Sequence, residues 1–534
     1  MSLDQETSVE ELRVGRFVVI EGAKARFFSM LTDVNLSVAS QKLIQNPPPD
    51  SDFIRAVLTG TSTFATARLQ PVLMLNRQSR SSLDQDSLEP VKTIPAHFSA
   101  VYEAQGNDFA LVFGQEDSQD KENFFFNIGR PPDMDTAVCI NLERFLQRSN
   151  GIFGKSGTGK SFLTRVILSG IISQDLASTL IFDMHNEYGW QAVSEDRSQP
   201  TVKGLRQLFG SKVVVFTLDA DSSAARGLPD AHELYIGYNQ IEIEDLELIR
   251  SELALSEATL ENAYIMKEKL GESWISKLIA MSGEEIDRFV LEHKGHPASI
   301  KTLQRRLSTM IQKTKYLRTR TPANYIDEII RHIEAGRHIV LEFGRQNNLI
   351  SYMLATNIIT RRIHAEYVRR SELNLSDPDR FTAPRRLAIV IEEAHRFLSG
   401  PVARQTIFGV IAREMRKYFV TLIIVDQRPS GIDADVLSQI GTRITALLND
   451  ERDIEAVFTG VPGSNALRTV LSQLDPRQQA LVLGYAVPMP VVVRTRAFDQ
   501  AFYKAIATDP LDDTPVKREV RARQASRELF GTRG

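Results

Sequence analysis

Apolar positions in the first hundred residues fall in short runs with strand character. Residues 14–22 form one run, and 54–60, 63–69 and 71–75 follow, set off by glycine, proline and polar residues. Their spacing and turn chemistry predict a small β-barrel over residues 1–118. The segments 46–50 (NPPPD) and 77–86 predict loops. From about Ile128 the pattern changes. β-branched apolar runs at 179–182, 212–218, 338–343, 386–391, 420–425 and 444–448 alternate with helical stretches, and a hairpin is expected from 479–485 and 490–496. Buried strands separated by helices imply a parallel sheet covered on both faces, hence an α/β fold. Residues 243–335 look helical throughout, with no obvious strand, and predict an insertion. The expected organisation is 1–118, a core in two parts (119–242 and 336–500) interrupted by 243–335, and a polar, Arg-rich tail at 501–534.

Composition narrows the functional classes. The chain has 534 residues, 42% hydrophobic and 25% charged, which suits several soluble domains. A net charge of -3 excludes a globally basic nucleic-acid binder but leaves room for local basic patches. Residues 301–320 carry seven Lys or Arg and no acid, and Arg361, Arg362, Arg369 and Arg370 form a second cluster. A solvated helix face is the common alternative explanation for such runs. The single cysteine, Cys139, permits no intramolecular disulfide and fits a reducing compartment. The acidic, polar first residues do not resemble a signal peptide. No apolar run approaches the roughly 18 residues needed to span a bilayer. The expectation is a cytoplasmic protein with no membrane contact.

The chemistry enters at Gly154-Lys155-Ser156-Gly157-Thr158-Gly159-Lys160-Ser161, which matches G-x-x-x-x-G-K-[ST]. Glycines at this spacing let backbone N–H groups turn inward around phosphate oxygens. Lys160 places a cation on the β/γ-phosphates, and the Ser161 hydroxyl can ligate Mg²⁺. The apolar run 386–391 ends in Glu392-Glu393-Ala394-His395. Acids at the carboxyl end of a strand can hold Mg²⁺ and polarise water. Glu392 is assigned to the Mg²⁺ side and Glu393 to the general base, although acids also favour helix starts. The run 420–425 leads to Asp426-Gln427-Arg428-Pro429-Ser430, where Gln427 could orient the attacking water or simply cap a turn. Asp183 closes another strand and is a further candidate nucleotide contact; a helix-start role explains it as well.

These residues together resemble the HerA family of DNA translocases, related to FtsK and the conjugation ATPases. The resemblance covers most of the chain. It rests on the N-terminal barrel, the phosphate loop, Asp183-Met184-His185-Asn186-Glu187-Tyr188, Glu392-Glu393-Ala394-His395, and the segment 411–419 running into Asp426–Ser430. It implies a RecA-like P-loop ATPase core, ATP and Mg²⁺ as cofactors, a homohexamer that pumps double-stranded DNA, and a partner nuclease of NurA type or another effector in phage defence. Glu392 departs from the Asp usual in P-loop enzymes. Such rings also take an arginine from the neighbouring subunit; Arg413, Arg416 and Arg443 are the candidates. Two other readings share the core: a motor for protein substrates, and an ATP-dependent scaffold for a nuclease. No nuclease site is apparent in the chain itself.

Overall fold

The computed structural model describes residues 12–38, 51, 63–76, 87–117, 120, 122–192, 202–321, 324–403, 406–461, 463–476 and 478–506. The expected strand at 54–60, the loops at 46–50 and 77–86 and most of the tail lie outside these residues. The chain divides into two compact units. One comprises Met1–Leu163, Gln427–Ser430 and Ile440–Ala497, the other Thr164–Asp426, Gly431–Gln439 and Phe498–Gly534.

The first unit opens with a five-stranded antiparallel sheet. Leu88–Pro90, Thr63–Asn76, Ala25–Val38, Phe17–Glu21 and Ala100–Glu103 lie side by side in that order. Its two end strands are not paired to each other among the described residues. Two expected strands, 63–69 and 71–75, are one continuous strand. Pro71 sits within it beside a register shift opposite Phe28 and Ser29. A bulge is where a strand tolerates a residue that cannot donate to the ladder. Ile20, Ala25, Phe27 and Met74 form one hydrophobic cluster on this sheet.

The same unit holds a mixed sheet. Val138–Asn141, Phe125–Arg130, Val491–Thr495, Gln479–Gly484 and Thr442–Ala446 are successively antiparallel. Asn150–Phe153 then pairs parallel with Thr442–Ala446. The hairpin at 479–496 forms as expected. The strand expected at 444–448 starts two residues earlier, because Thr442 pairs with Asn150 and is itself buried.

The second unit is an all-parallel sheet in the order His232–Glu233, Val213–Thr217, His338–Glu342, Ser178–Asp183, Leu387–Glu392 and Val420–Asp426. All five of the longer strands are buried along their full length. That burial explains their unbroken apolar sequence. Residues 243–335 are helical as expected. Ser282 caps the helix Gly283–His293, with Glu285 returning a bond to the Ser282 N–H. Pro297 occupies the first turn of Pro297–Lys313, where its missing N–H costs no bond. One correction is small: Leu317–Arg318 forms a two-residue strand, parallel to Ile236–Gly237.

This unit also accounts for the second basic cluster. Arg361 donates to the fully buried Asp245 at 2.8 Å, and Asn357 and the Glu242 N–H complete that carboxylate's bonds. Arg369 and Arg370 pair with Glu366, and Arg370 also with Glu334. Arg361→Ala should therefore destabilise the protein by about 3 kcal/mol, because it strands a buried acid. Arg362→Ala, at an exposed position, should leave the unfolding midpoint nearly unchanged. Equal midpoints for the two variants in denaturant titrations would refute a structural role for Arg361.

Candidate active site

In the first unit, the strand Asn150–Phe153 is wholly buried and delivers the phosphate loop from its carboxyl end. The loop is anchored at once, by Lys155 N–H donating to the Leu447 carbonyl at 3.0 Å. A Cβ on Gly154 would come within 2.8 Å of Ala446 Cβ and Thr158 Oγ1. Gly157 and Gly159 adopt φ of 78° and 88°, which side chains disfavour. A Cβ on Gly159 would meet nothing within 4 Å, so its need for glycine is conformational, and the space it faces is open. Thr158 is buried and its hydroxyl donates to the Lys155 carbonyl at 2.7 Å, closing the turn. Lys160 starts the helix Lys160–Ser173, and its Nζ donates to the same carbonyl at 2.8 Å. Lys155, Ser156 and Gly157 are exposed. A glycine turn with two positive-φ residues, a helix N-terminus and a lysine are the parts of an anion cradle that suits nucleotide phosphates.

In the second unit, parallel register brings four acids to one edge of the sheet. Glu342 pairs with Asp183, and Glu392 with Val425 beside Asp426. All four acids are buried, and each is compensated differently. Asp183 accepts from the N–H groups of Glu187, Tyr188 and Gly189 at 2.7, 2.8 and 3.2 Å. Glu342 takes Arg226 at 2.5 Å and the Ser223 hydroxyl at 3.1 Å. Asp426 accepts the His395 N–H at 2.7 Å and lies 3.0 Å from its Nδ1. Glu392 has only the Tyr188 hydroxyl, at 3.1 Å on Oε1, while its buried Oε2 has no partner. Burial, then Asp183 and Glu187, pushes the Glu392 carboxyl up to about 8. Burial and Glu342 push Asp183 up to about 7, against its backbone donors. A carboxylate with an orphaned oxygen in a surplus of negative charge fits a divalent cation.

The backbone at this point is strained. Glu393 has φ 50°, a conformation that costs a non-glycine residue roughly 1 kcal/mol. Tyr352, on the helix Leu349–Ser376, clamps the residue before it: its hydroxyl accepts the Glu392 N–H at 3.0 Å and donates to the Glu392 carbonyl at 2.9 Å. The Glu393 side chain is 29% exposed, against a buried Glu392, and lies 3.6 Å from His395 Nδ1. Strain of this kind clusters at functional sites.

The remaining candidates fare differently. Ser161 stands in the first helical turn and is half-buried, and Gln427 follows the strand Val420–Asp426 directly and is partly exposed. Arg413, near the end of the helix Ile407–Glu414, is exposed and donates to the Ala403 carbonyl at 3.0 Å. Arg416 lies in the 3₁₀ turn Met415–Tyr418; its side chain is outside the described atoms. Arg443 is buried within the chain, with its guanidinium on the Val457 and Thr459 carbonyls at 2.5 and 2.7 Å. Asp183, expected to contact nucleotide, has both carboxylate oxygens engaged by backbone donors and shapes the turn 183–189. Tyr352, Arg226 and Glu342 were not singled out in the sequence, and Tyr188 stood there only as the last residue of the 183–188 motif. Arg165 was missed too: it is buried, donates to the Glu187 carbonyl at 2.8 Å and lies over the Tyr188 ring.

Residues 126–363 match the family model described as Helicase HerA, central domain. The chain is similar to the DNA double-strand break repair helicase HerA of Saccharolobus solfataricus, 24% identical over 93% of this chain and 90% of that one. The corresponding helicase of Sulfurisphaera tokodaii is 24% identical, with 95% and 93% covered. Among solved structures, the bacterial conjugative coupling protein TrwBdeltaN70 aligns at 11% identity over 74% of this chain and 93% of that chain, with a TM-score of 0.45.

The Glu392 environment has a consequence for stability. A carboxyl whose folded pKa is raised binds its proton more tightly when folded, so its contribution is full below the unfolded value and is lost as pH rises toward about 8. In metal-free protein, Glu392→Gln should gain on the wild type across pH 5 to 8, by about 1 kcal/mol per pH unit. Unfolding midpoints that differ by a constant amount over that window would refute the buried, under-compensated carboxylate.

Proposed function

We propose that the chain, similar to HerA helicases over most of its length, is an ATP-hydrolysing translocase that moves double-stranded DNA through a homohexameric ring. The observation that carries the reading is the phosphate loop, with Gly157 and Gly159 in left-handed conformations ahead of Lys160, in a chain similar to DNA repair helicases over most of its length. Mg²⁺, when bound, would neutralise charge on the phosphates, with the Ser161 hydroxyl and Glu392 as its protein ligands. Gly154, Ser156, Gly157, Thr158 and Gly159 supply the cradle, and Lys160 the cation on the β/γ-phosphates. Glu393 takes a proton from the attacking water, and Gln427 orients that water. An arginine from the neighbouring subunit, Arg413 or Arg416, stabilises the charge that develops, an effect worth roughly 10³–10⁵ in rate.

DNA contact in a motor must be independent of sequence, and so falls to Lys and Arg on phosphates. Arg361, Arg369 and Arg370 are already paired with acids in the chain. The exposed face of the helix Pro297–Lys313 is the better support: Ile300, Leu303, Leu307 and Met310 are buried, while Arg305, Arg306 and Lys313 face out. Residues 1–115 would form a barrel collar, and a nuclease of NurA type, or another defence effector, would be the partner in end processing or anti-phage defence.

Lys160→Ala should abolish ATP turnover, and Glu393→Gln should lower it by about 10²–10⁴ while retaining nucleotide. Wild-type turnover in Glu393→Gln would sink the assignment of the base. Mixing Arg416→Ala or Arg413→Ala with Glu393→Gln should restore part of the activity, because some interfaces then hold both working groups. Native mass spectrometry should give six chains; a monomer with and without ATP contradicts the ring. Linear duplex DNA should stimulate turnover, less so as salt rises. Stimulation that ignores salt would favour a protein-substrate motor or a nuclease scaffold.

A further inference from the structure

We propose that His232, Glu328 and His332 form a site for a Zn²⁺-type transition-metal ion, distinct from the nucleotide-binding residues. Glu328 and His332 stand four residues apart on the helix Tyr325–Glu334, so they share one flank. The helix buries Ile326, Ile329, Ile330 and Ile333 on its other side, which fixes that flank's direction. His232 comes from the edge strand His232–Glu233, in register with Phe216 of its parallel neighbour. Its Nδ1 is 3.3 Å from Glu328 Oε1, and His332 Nε2 is 3.9 Å from the same oxygen. All three ligand atoms lie within 4.8 Å of one another.

An ordinary histidine–carboxylate hydrogen bond explains one of these imidazoles. It does not explain why a second points at the same oxygen from beyond hydrogen-bonding distance. A metal explains both. Bonds of about 2.0–2.2 Å in a tetrahedron hold ligand atoms about 3.3 Å apart, so small side-chain rotations close the site. The Phe216 ring packs on both imidazoles, with centroids at 5.2 and 5.9 Å, and limits their other rotations. Two nitrogens and one carboxylate oxygen suit zinc and its first-row neighbours and do not suit Mg²⁺. Three protein ligands leave a position for water or for a group from another molecule. Arg331 and Arg337 act on His332 electrostatically and oppose a cation, which argues for moderate affinity. Bound metal would tie the sheet edge to the helix that leads into His338–Glu342, and so stabilise the folded unit.

The test uses the full-length chain, stripped with chelator, free of nucleotide, and dialysed against Zn²⁺ with millimolar Mg²⁺ present. The wild type and Lys160→Ala should each retain one Zn²⁺ per chain, and Zn²⁺ should raise the unfolding temperature. His232→Ala, His332→Ala and Glu328→Gln should each weaken retention by at least about tenfold. Co²⁺ should give visible ligand-field bands in the wild type that vanish in the His232→Ala/His332→Ala double variant. Circular dichroism in chelator, equal to wild type, shows that the variants fold; Glu328→Gln keeps the test open should a histidine variant not fold. Failure of the wild type to retain zinc overturns the proposal. So does a cobalt spectrum that survives unchanged in the folded double variant, since the metal is then held elsewhere.

Discussion

Apolar parallel strands that end in acids set a charge problem on which the rest of this structure turns. Ser178–Asp183, His338–Glu342, Leu387–Glu392 and Val420–Asp426 are buried along their length, so their terminal carboxylates enter a region of low dielectric. Each ionised acid there needs a compensating partner. Three obtain one within the chain: a turn of backbone donors, an arginine and a histidine. The shape of the turn 183–189 follows from this, as does the crowding of Gly189, where a Cβ would fall 2.2 Å from Glu342 Oε1. Glu392 is left with a neutral tyrosine. Of these four acids, Glu392 is the one without a cationic or backbone donor, and it stands at the strand end that also carries the strained Glu393.

The parts of the fold legible in the sequence are those governed by local rules. A strand buried on both faces is an unbroken apolar run, and a phosphate loop is a fixed glycine spacing. The five long parallel strands and the 479–496 hairpin were therefore visible. The strand Ala25–Val38 was not, because the buried Ser29 and Thr32 break both the alternating and the continuous pattern. Pro71 read as a boundary because a bulge is a property of the pair and not of one strand. The partners at the site were hidden by distance along the chain. Tyr188 meets Glu392 204 residues away, and Asp245 meets Arg361 116 residues away. No periodicity within either segment encodes such a meeting.

The arginines show the same limit in a different form. Sequence presents each as a mobile surface cation, and the structure divides them. Arg165, Arg443 and Arg361 complete buried or half-buried groups, and removing any of them leaves a carbonyl, a ring or an acid without its partner. Arg305, Arg306 and Arg413 remain exposed. A basic count over a segment is therefore a poor measure of the charge available to a ligand. What counts is how many of those charges the fold has already used, and for the 361–370 cluster it has used most of them.

Glu392 and Glu393 are adjacent acids with different environments, and a single backbone conformation separates them. In a continuing strand, Glu393 would take the opposite face of a sheet that is covered on both sides, and would be buried like its neighbour. Two adjacent buried carboxylates would each raise the other's pKa, and neither would be a competent base near neutrality. The left-handed turn ends the strand after Glu392 and carries Glu393 toward solvent. Tyr352 holds both backbone groups of Glu392 ahead of the turn, and Asp426 holds the His395 N–H after it. These bonds outweigh a strain of roughly 1 kcal/mol. The strain is thus the cost of giving one acid a buried position suited to a cation and the next a partly exposed position suited to a proton.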